Sequence, residues 1–260
     1  MPKVKIFDFT TLKQQLENII CAEVHKVLES YPDVYTQRHK DMFKIVFTRT
    51  SIMFIEDELL NNDKKSFSRK FIINKYNEGI MERNSKPMIA RLRGDTDKKG
   101  HICIKALEIV VNNDLIIENA LFNMWDIDNW IESVLKSSAR HEAGHIIDFI
   151  KSYDGKKAST LAKDNKKQHE ATEEWRKWCR EITDNFSRPF TDDEWRESFE
   201  RYFRIPGESI ADMYGNVDRN KCIEYQIKST HYKVNVVIKT HVRKRETPPI
   251  ENKTEEKEGA

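Results

Sequence analysis

Glycine and proline are scarce, 8 and 7 among 260 residues, so the chain has few of the residues that break helices or make tight turns. Helix is therefore expected to dominate wherever apolar residues recur with a period near 3.6. The four cysteines, Cys21, Cys103, Cys179 and Cys222, are far apart and form no CxxC pair. That spacing argues against a zinc ribbon or a disulfide framework and predicts reduced, buried, inert thiols in an intracellular protein. No apolar run approaches the roughly 20 residues that span a bilayer, and MPKVKIFDFTTLKQQ carries no apolar core of an export signal. No membrane insertion is expected, and the cytoplasm is the default location, although a leaderless protein delivered by a dedicated secretion machine would look the same. Excess charge is missing too. Lys and Arg total 45 against 43 Asp and Glu, a formal charge of +2, so there is no general field to hold a nucleic acid.

Thr11 to Ser30 reads as an amphipathic helix with Leu12, Leu16, Ile19, Ile20, Val24 and Leu28 on one side. From Met42 to Asn112 the pattern changes to short β-rich runs, KIVFTRTSIMFI, RKFII, KPMIARLR and HICIKALEIVV, which predict a small mixed or antiparallel sheet. Helical spacing returns after Trp125. One long helix is expected through NWIESVLKSSARHEAGHIIDFI, capped by Asp126 or Asp128, and a second from Lys167 to Phe186. Thr191 to Glu194 forms a capping box before a third, and Pro206 opens a fourth that holds GESIADMY. The fold class is α+β, with the sheet before a mainly helical half. Residues 1–40 form an N-terminal helical segment, 41–245 the main domain, and 246–260 a polar tail expected to be disordered; 154–168 reads as a Lys-rich loop. Trp175, Trp178, Trp195, Phe199 and Phe203 fall at helical spacings that suit a core.

The stretch HEAGHIIDFI places His141 and His145 four residues apart, one turn along a single helix face, with Glu142 beside the first. The apolar stripe Ile127, Trp130, Ile131, Val134, Ser138 and Phe149 runs into both histidines, so they should point inward. A core helix with two satisfied histidines would show the same spacing. A catalytic zinc site needs a third protein ligand and an open position for water. Downstream, PGESIADMYGN offers Glu208 and, one turn on, Asp212. Glu208 can complete the ligand set while Asp212 accepts the free ring N–H of a histidine. Asp148, His169, His231 and His241 are the rival third ligands. Asp148 is three residues after His145 on the same helix, so it suits a supporting role better.

HEAGH followed by GESIAD resembles the gluzincin type of zinc metallopeptidase, with HExxH on one helix and ExxxD on the next. The two halves look most like those of the neprilysin family, and the HExGHxxD form is similar to that of lethal-factor-like toxin peptidases. The resemblance implies a zincin-like fold. It also implies one catalytic zinc held by His141, His145 and Glu208, with Glu142 as general base and with Asp212 and Asp148 behind the ligands. Asn119-Ala120 resembles the Asn-Ala pair with which gluzincins hold substrate backbone.

Zinc with a neighbouring carboxylate points to amide hydrolysis, in which Glu142 accepts the water's proton and later delivers it to the leaving amine. The oxyanion needs a donor, and Tyr202, Tyr214, His231 and Arg204 are candidates. The expected function is a zinc-dependent endopeptidase acting on a protein or peptide substrate. The alternative is a non-catalytic zincin-fold scaffold, for example a phage or mobile-element structural protein.

Overall fold

A computed structural model of the chain describes residues 9–48, 52–54, 70–73, 86–185, 187–188, 190–230 and 237–240. Helix α1 spans Phe9–Glu29. Leu12, Leu16, Ile20, Val24 and Leu28 recur every four residues along it, and all five are buried. Each such side chain contributes about 1.5–3 kcal/mol when removed from water, which more than offsets the modest helix propensity of the β-branched members. These residues share one apolar core with the central sheet and the helix that carries HEAGH.

Helix α2, Gln37–Met42, leads into β1, Phe43–Phe47. Strands β4, Met88–Thr96, and β5, Ile102–Val111, complete a mixed three-stranded sheet in the order β1-β5-β4. β1 runs parallel to β5 and β4 antiparallel to it. The alternation in β5 buries Ile102, Ile104, Leu107, Ile109 and Val111. The run KIVFTRTSIMFI does not form one strand. Its second half supplies β2, Ile52–Phe54, which pairs antiparallel with β3, Lys70–Ile73; β3 in turn runs parallel to β6, Val237–Thr240. The expected polar tail, 246–260, lies outside the described residues.

Helix α3, Asn113–Phe122, starts directly after β5, where Asn112 caps it by accepting from the Leu115 N–H at 3.2 Å. The chain then stays helical through a 3₁₀ turn, Met124–Asp126, an α turn, Ile127–Trp130, and a π segment, Ile131–Leu135, into α4, Lys136–Tyr153. The single long helix expected here is therefore wound unevenly. Asp126 accepts from the Asn129 side chain at 3.2 Å instead of capping a backbone N–H.

The polar stretch 154–168, expected to be a loop, is mostly helix. Helix α5 covers Ala158–Ile182 and begins well before Lys167. Ala158 and Leu161 pack against the core, and the Gln168 side chain accepts from the Gly207 N–H at 2.9 Å. Solvated lysines on the outer face do not oppose a helix that is anchored this way. Helices α6, Asp192–Phe203, α7, Pro206–Gly215, and α8, Arg219–Thr230, follow. The capping box at Thr191 and Glu194 is present, and Pro206 occupies the first turn of α7. The aromatic residues of α5 and α6 are half-buried and lie outside the main core; Trp195, Phe199 and Phe203 stack in sequence along α6. All four cysteines are free, with Cys179 and Cys222 buried and Cys21 and Cys103 half-buried. No helix among the described residues is long and apolar enough to cross a membrane.

Two contacts fix α4 in place. At its C-terminal end, Asp154 binds Arg38 at 2.6 Å, His39 at 3.2 Å and the Ile104 N–H at 3.4 Å, tying α2 and β5 to α4. At its middle, Gly144 lies against α7 so closely that a Cβ there would fall 1.9 Å from the Ala211 carbonyl oxygen. Gly215 of α7 repeats the arrangement, since a Cβ there would be 2.5 Å from the Arg140 carbonyl oxygen. The two glycines let the helix backbones approach closely enough to bring GESIAD onto HEAGH.

Candidate metal centre

Ala139, Ala143, Ile146, Ile147 and Ile150 bury one side of α4 in the core and thereby set its rotation. That rotation turns His141 and His145 toward α7, with His141 buried and His145 half-buried. His141 Nε2 is 3.0 Å and His145 Nε2 3.8 Å from the same oxygen of Glu208. One ligating atom from each residue lies within 4.8 Å of the other two. Ligand atoms around a tetrahedral zinc with bonds near 2.0–2.1 Å are separated by about 3.3 Å, so these three residues fit one such ion. Two imidazoles and one carboxylate are also the donor set that zinc accepts in open catalytic sites.

Asp212 lies one turn beyond Glu208 on α7, with Oδ1 2.6 Å from His141 Nδ1. Asp212 accepting from an Nδ1–H would favour the tautomer whose Nε2 lone pair faces the ligand cluster, while Arg219 Nη2 also lies 2.6 Å from Nδ1. Arg219, the first residue of α8, grips Asp212 through Nε at 2.5 Å and through a terminal nitrogen on the other oxygen. Its guanidinium lies 3.9 Å above the Phe203 ring.

Glu142 is buried, and the Ala90 N–H of β4 donates to it at 2.6 Å. The three carboxylates of the site are in different electrostatic environments. Burial pushes Glu142 above the usual carboxylate range, against the pull of His145, His141 and the Ala90 N–H. Burial also opposes charge on Glu208, but the hydrogen bond from His141 and the neighbouring His145 outweigh it and hold that carboxyl well below its ordinary value. Asp212 is likewise depressed despite burial, by its bonds to His141 and Arg219. Desolvation works against a proton on His141, yet its bonds to Asp212 and Glu208 prevail and raise it. A carboxylate held below its ordinary value beside one pushed above it is the pairing expected of a ligand next to a proton-transfer group.

Of the four oxyanion candidates, Tyr202 is at the site. It is near enough to feel the Glu208 and Glu142 charges, and its ionisation is pushed far up by burial and then by the Glu208 charge, so it remains an O–H donor. Tyr214 packs its ring edge-on to Tyr31 at 5.7 Å, with the Lys151 ammonium 4.7 Å from its centroid. Arg204 is exposed and pairs with Glu200 at 3.2 Å. His231 and His241 lie outside the described residues, and His169 is exposed on α5. Asp148 is buried and accepts from the Ser152 hydroxyl at 2.7 Å, a contact within its own helix.

Asn119 and Ala120 are not an extended substrate-binding pair. Both lie inside α3, where Ala120 is fully buried and the Asn119 carbonyl accepts from the Asn123 N–H and side chain. The backbone beside Glu142 belongs instead to β4, which is an edge of its sheet among the described residues. Pro87 accepts from the Asn112 N–H at 2.8 Å, so the odd-numbered residues at the start of β4 face β5 and the even-numbered ones turn their backbone groups outward. Ala90 is one of the outward-facing residues.

Sequence reasoning missed Arg219, Ala90 and Lys86, whose Nζ donates to the Tyr202 hydroxyl at 3.2 Å. Neither the left-handed turn at Asn216 that directs α8 back to Asp212 nor the strand register is visible in a local pattern. Gly144 did carry a signal, since glycine inside a helical pattern marks close backbone approach. Compared with protein-family models, curated proteins and solved structures, the chain matches none.

Proposed function

We propose that this chain is a zinc-dependent endopeptidase with a zincin-like fold, acting on peptide bonds of a protein substrate. The observation that carries the reading is the convergence of His141, His145 and Glu208 from two helices, with Asp212 behind one histidine and Glu142 at its side. Bound zinc would supply the acidity that brings a water's pKa near 7 and the polarisation of the substrate carbonyl.

The protein's own groups account for the remaining steps. Glu142, whose burial raises its proton affinity, takes the proton of the attacking water as the new C–O bond forms. The carbonyl π pair moves onto oxygen, and the Tyr202 O–H, kept protonated by burial and the Glu208 charge, would stabilise the charge there. Glu142 then passes its proton to the leaving nitrogen as the C–N bond breaks. The outward edge of β4 offers backbone groups to an extended peptide beside Glu142. A cavity of about 300 Å³ adjoins it, lined in part by Met88 and by Trp130, Val134 and Ser138 on the helical run that leads to His141. A binding-only scaffold has no need of a buried carboxylate at the Glu142 position.

Elemental analysis tests the metal half of this reading. Wild type and Glu142→Gln should each carry about one zinc per chain after zinc-supplemented purification, and Glu208→Ala should carry much less. A wild type without zinc would overturn the proposal.

A further inference from the structure

Lys86 sits at the head of β4, immediately before Pro87, and the sequence shows no motif around it. A residue before proline is confined to extended backbone, and Pro87 is itself fastened to the central strand through Asn112. The origin of the lysine side chain is thus fixed although its ammonium is exposed. From there Nζ donates to the Tyr202 hydroxyl at 3.2 Å and lies 5.8 Å from the centroid of the same ring. Tyr202 is held on the other side by Trp175, with ring centroids 5.0 Å apart, and by Phe203 at 5.2 Å. Lys86 therefore bridges from the sheet edge to α6, where Tyr202 lies within reach of the Glu208 and Glu142 charges.

Stability does not explain this bridge. A contact from an exposed ammonium contributes little to folding, because water competes for it and the long side chain loses rotamer freedom. Its chemical effect is larger. A cationic donor on the phenol oxygen draws electron density from the O–H bond, so the same hydroxyl becomes a stronger donor toward a third group.

Resting on the endopeptidase reading above, we propose that Lys86 is a positioning residue for the reaction, which polarises and aims the Tyr202 hydroxyl at the oxyanion formed from the scissile carbonyl. Lys86 touches neither the candidate ligands nor the attacking water in this scheme. Its effect should therefore show in turnover, pass through Tyr202, and leave zinc binding unchanged.

The test uses the full chain and a fluorogenic peptide built on the best-cleaved sequence from a peptide-library digest. Lys86→Met should lower kcat about tenfold, a fraction of the 10²–10³ lost when an oxyanion donor itself is removed. KM should stay within about twofold and zinc content should be unchanged. Lys86→Arg should restore most of the rate. In a Tyr202→Phe background, adding Lys86→Met should cost less than about twofold, because residues acting through one group are not additive. A full tenfold loss in that background, or a loss confined to KM, would overturn the inference, as would an unaltered kcat in Lys86→Met. A wild type that binds no zinc or cleaves no peptide would instead overturn the endopeptidase reading, and this inference with it.

Discussion

Replacing Gly144 by alanine tests whether the approach of two helices builds the site. The new methyl group would lie 1.9 Å from the Ala211 carbonyl oxygen, 2.8 Å from its carbon and 3.0 Å from its Cα, all backbone atoms that no rotamer change can move. Ordinary contact begins at 3.4 Å, so α4 and α7 must separate locally by about 1.5 Å. Ala211 lies between Glu208 and Asp212 on α7, and the displacement carries both carboxylates away from the histidines. Zinc bonds tolerate about 0.2 Å, so the third ligand would be lost or badly placed. Two opposing effects act on stability. Overpacking costs about 1–3 kcal/mol, while alanine gains roughly 0.8–1 kcal/mol over glycine in a helix interior. The net change should be a modest loss. Zinc affinity should fall far more, by at least about 100-fold, beyond what losing a supporting carboxylate costs. Chelator competition and thermal unfolding, with and without zinc, measure both quantities on the same samples. A Gly144→Ala variant that is more stable and binds zinc normally would show that this crossing does not position the ligands.

Asp212→Asn should keep the fold and weaken zinc affinity by about 10 to 100-fold in the same competition titration; unchanged affinity would remove Asp212 from the site. Asp154 is held below its ordinary value, with burial opposing and the Arg38 and His39 bonds prevailing. It therefore stabilises the fold fully above its unfolded pKa of about 3.9, and this contribution is lost as pH falls through the lower folded value. Asp154→Asn should cost about 1–3 kcal/mol in urea unfolding at pH 7, with the gap to wild type closing below about pH 4; a constant gap would refute the linkage. Thr191→Ala, which removes the side chain that caps α6, should cost about 1 kcal/mol by the same measurement, and a change within error would mean that this end frays without consequence.

Local chemistry was readable where one element determines it. The i, i+4 spacing of His141 with His145 and of Glu208 with Asp212 gave one-face placement without any tertiary information, and Pro206 and the Thr191 box marked helix starts that the structure contains. Readings that depended on distant partners fared worse. Ala158 to Gln168 looked like a loop because its lysines dominate the composition, while its anchors, Ala158, Leu161 and Gln168, find their partners only in the folded chain. Asn119-Ala120 was read by resemblance as a pair that holds substrate backbone, but the Asn112 cap starts a helix directly after β5 and both residues lie inside it. Tyr202 and Tyr214 were equal as sequence candidates. Their opposite placements follow from which face of α6 and of α7 meets the site, and the core decides that.

Peptide hydrolysis by zinc-loaded protein, compared between wild type and Glu142→Gln at matched zinc content, is the most direct test of the account. A peptide-library digest read by mass spectrometry should show defined cleavages with wild type and a loss of at least about 100-fold with Glu142→Gln, whose amide can still hydrogen-bond but cannot accept the proton. Equal cleavage by both proteins, or none by zinc-loaded wild type, would contradict it.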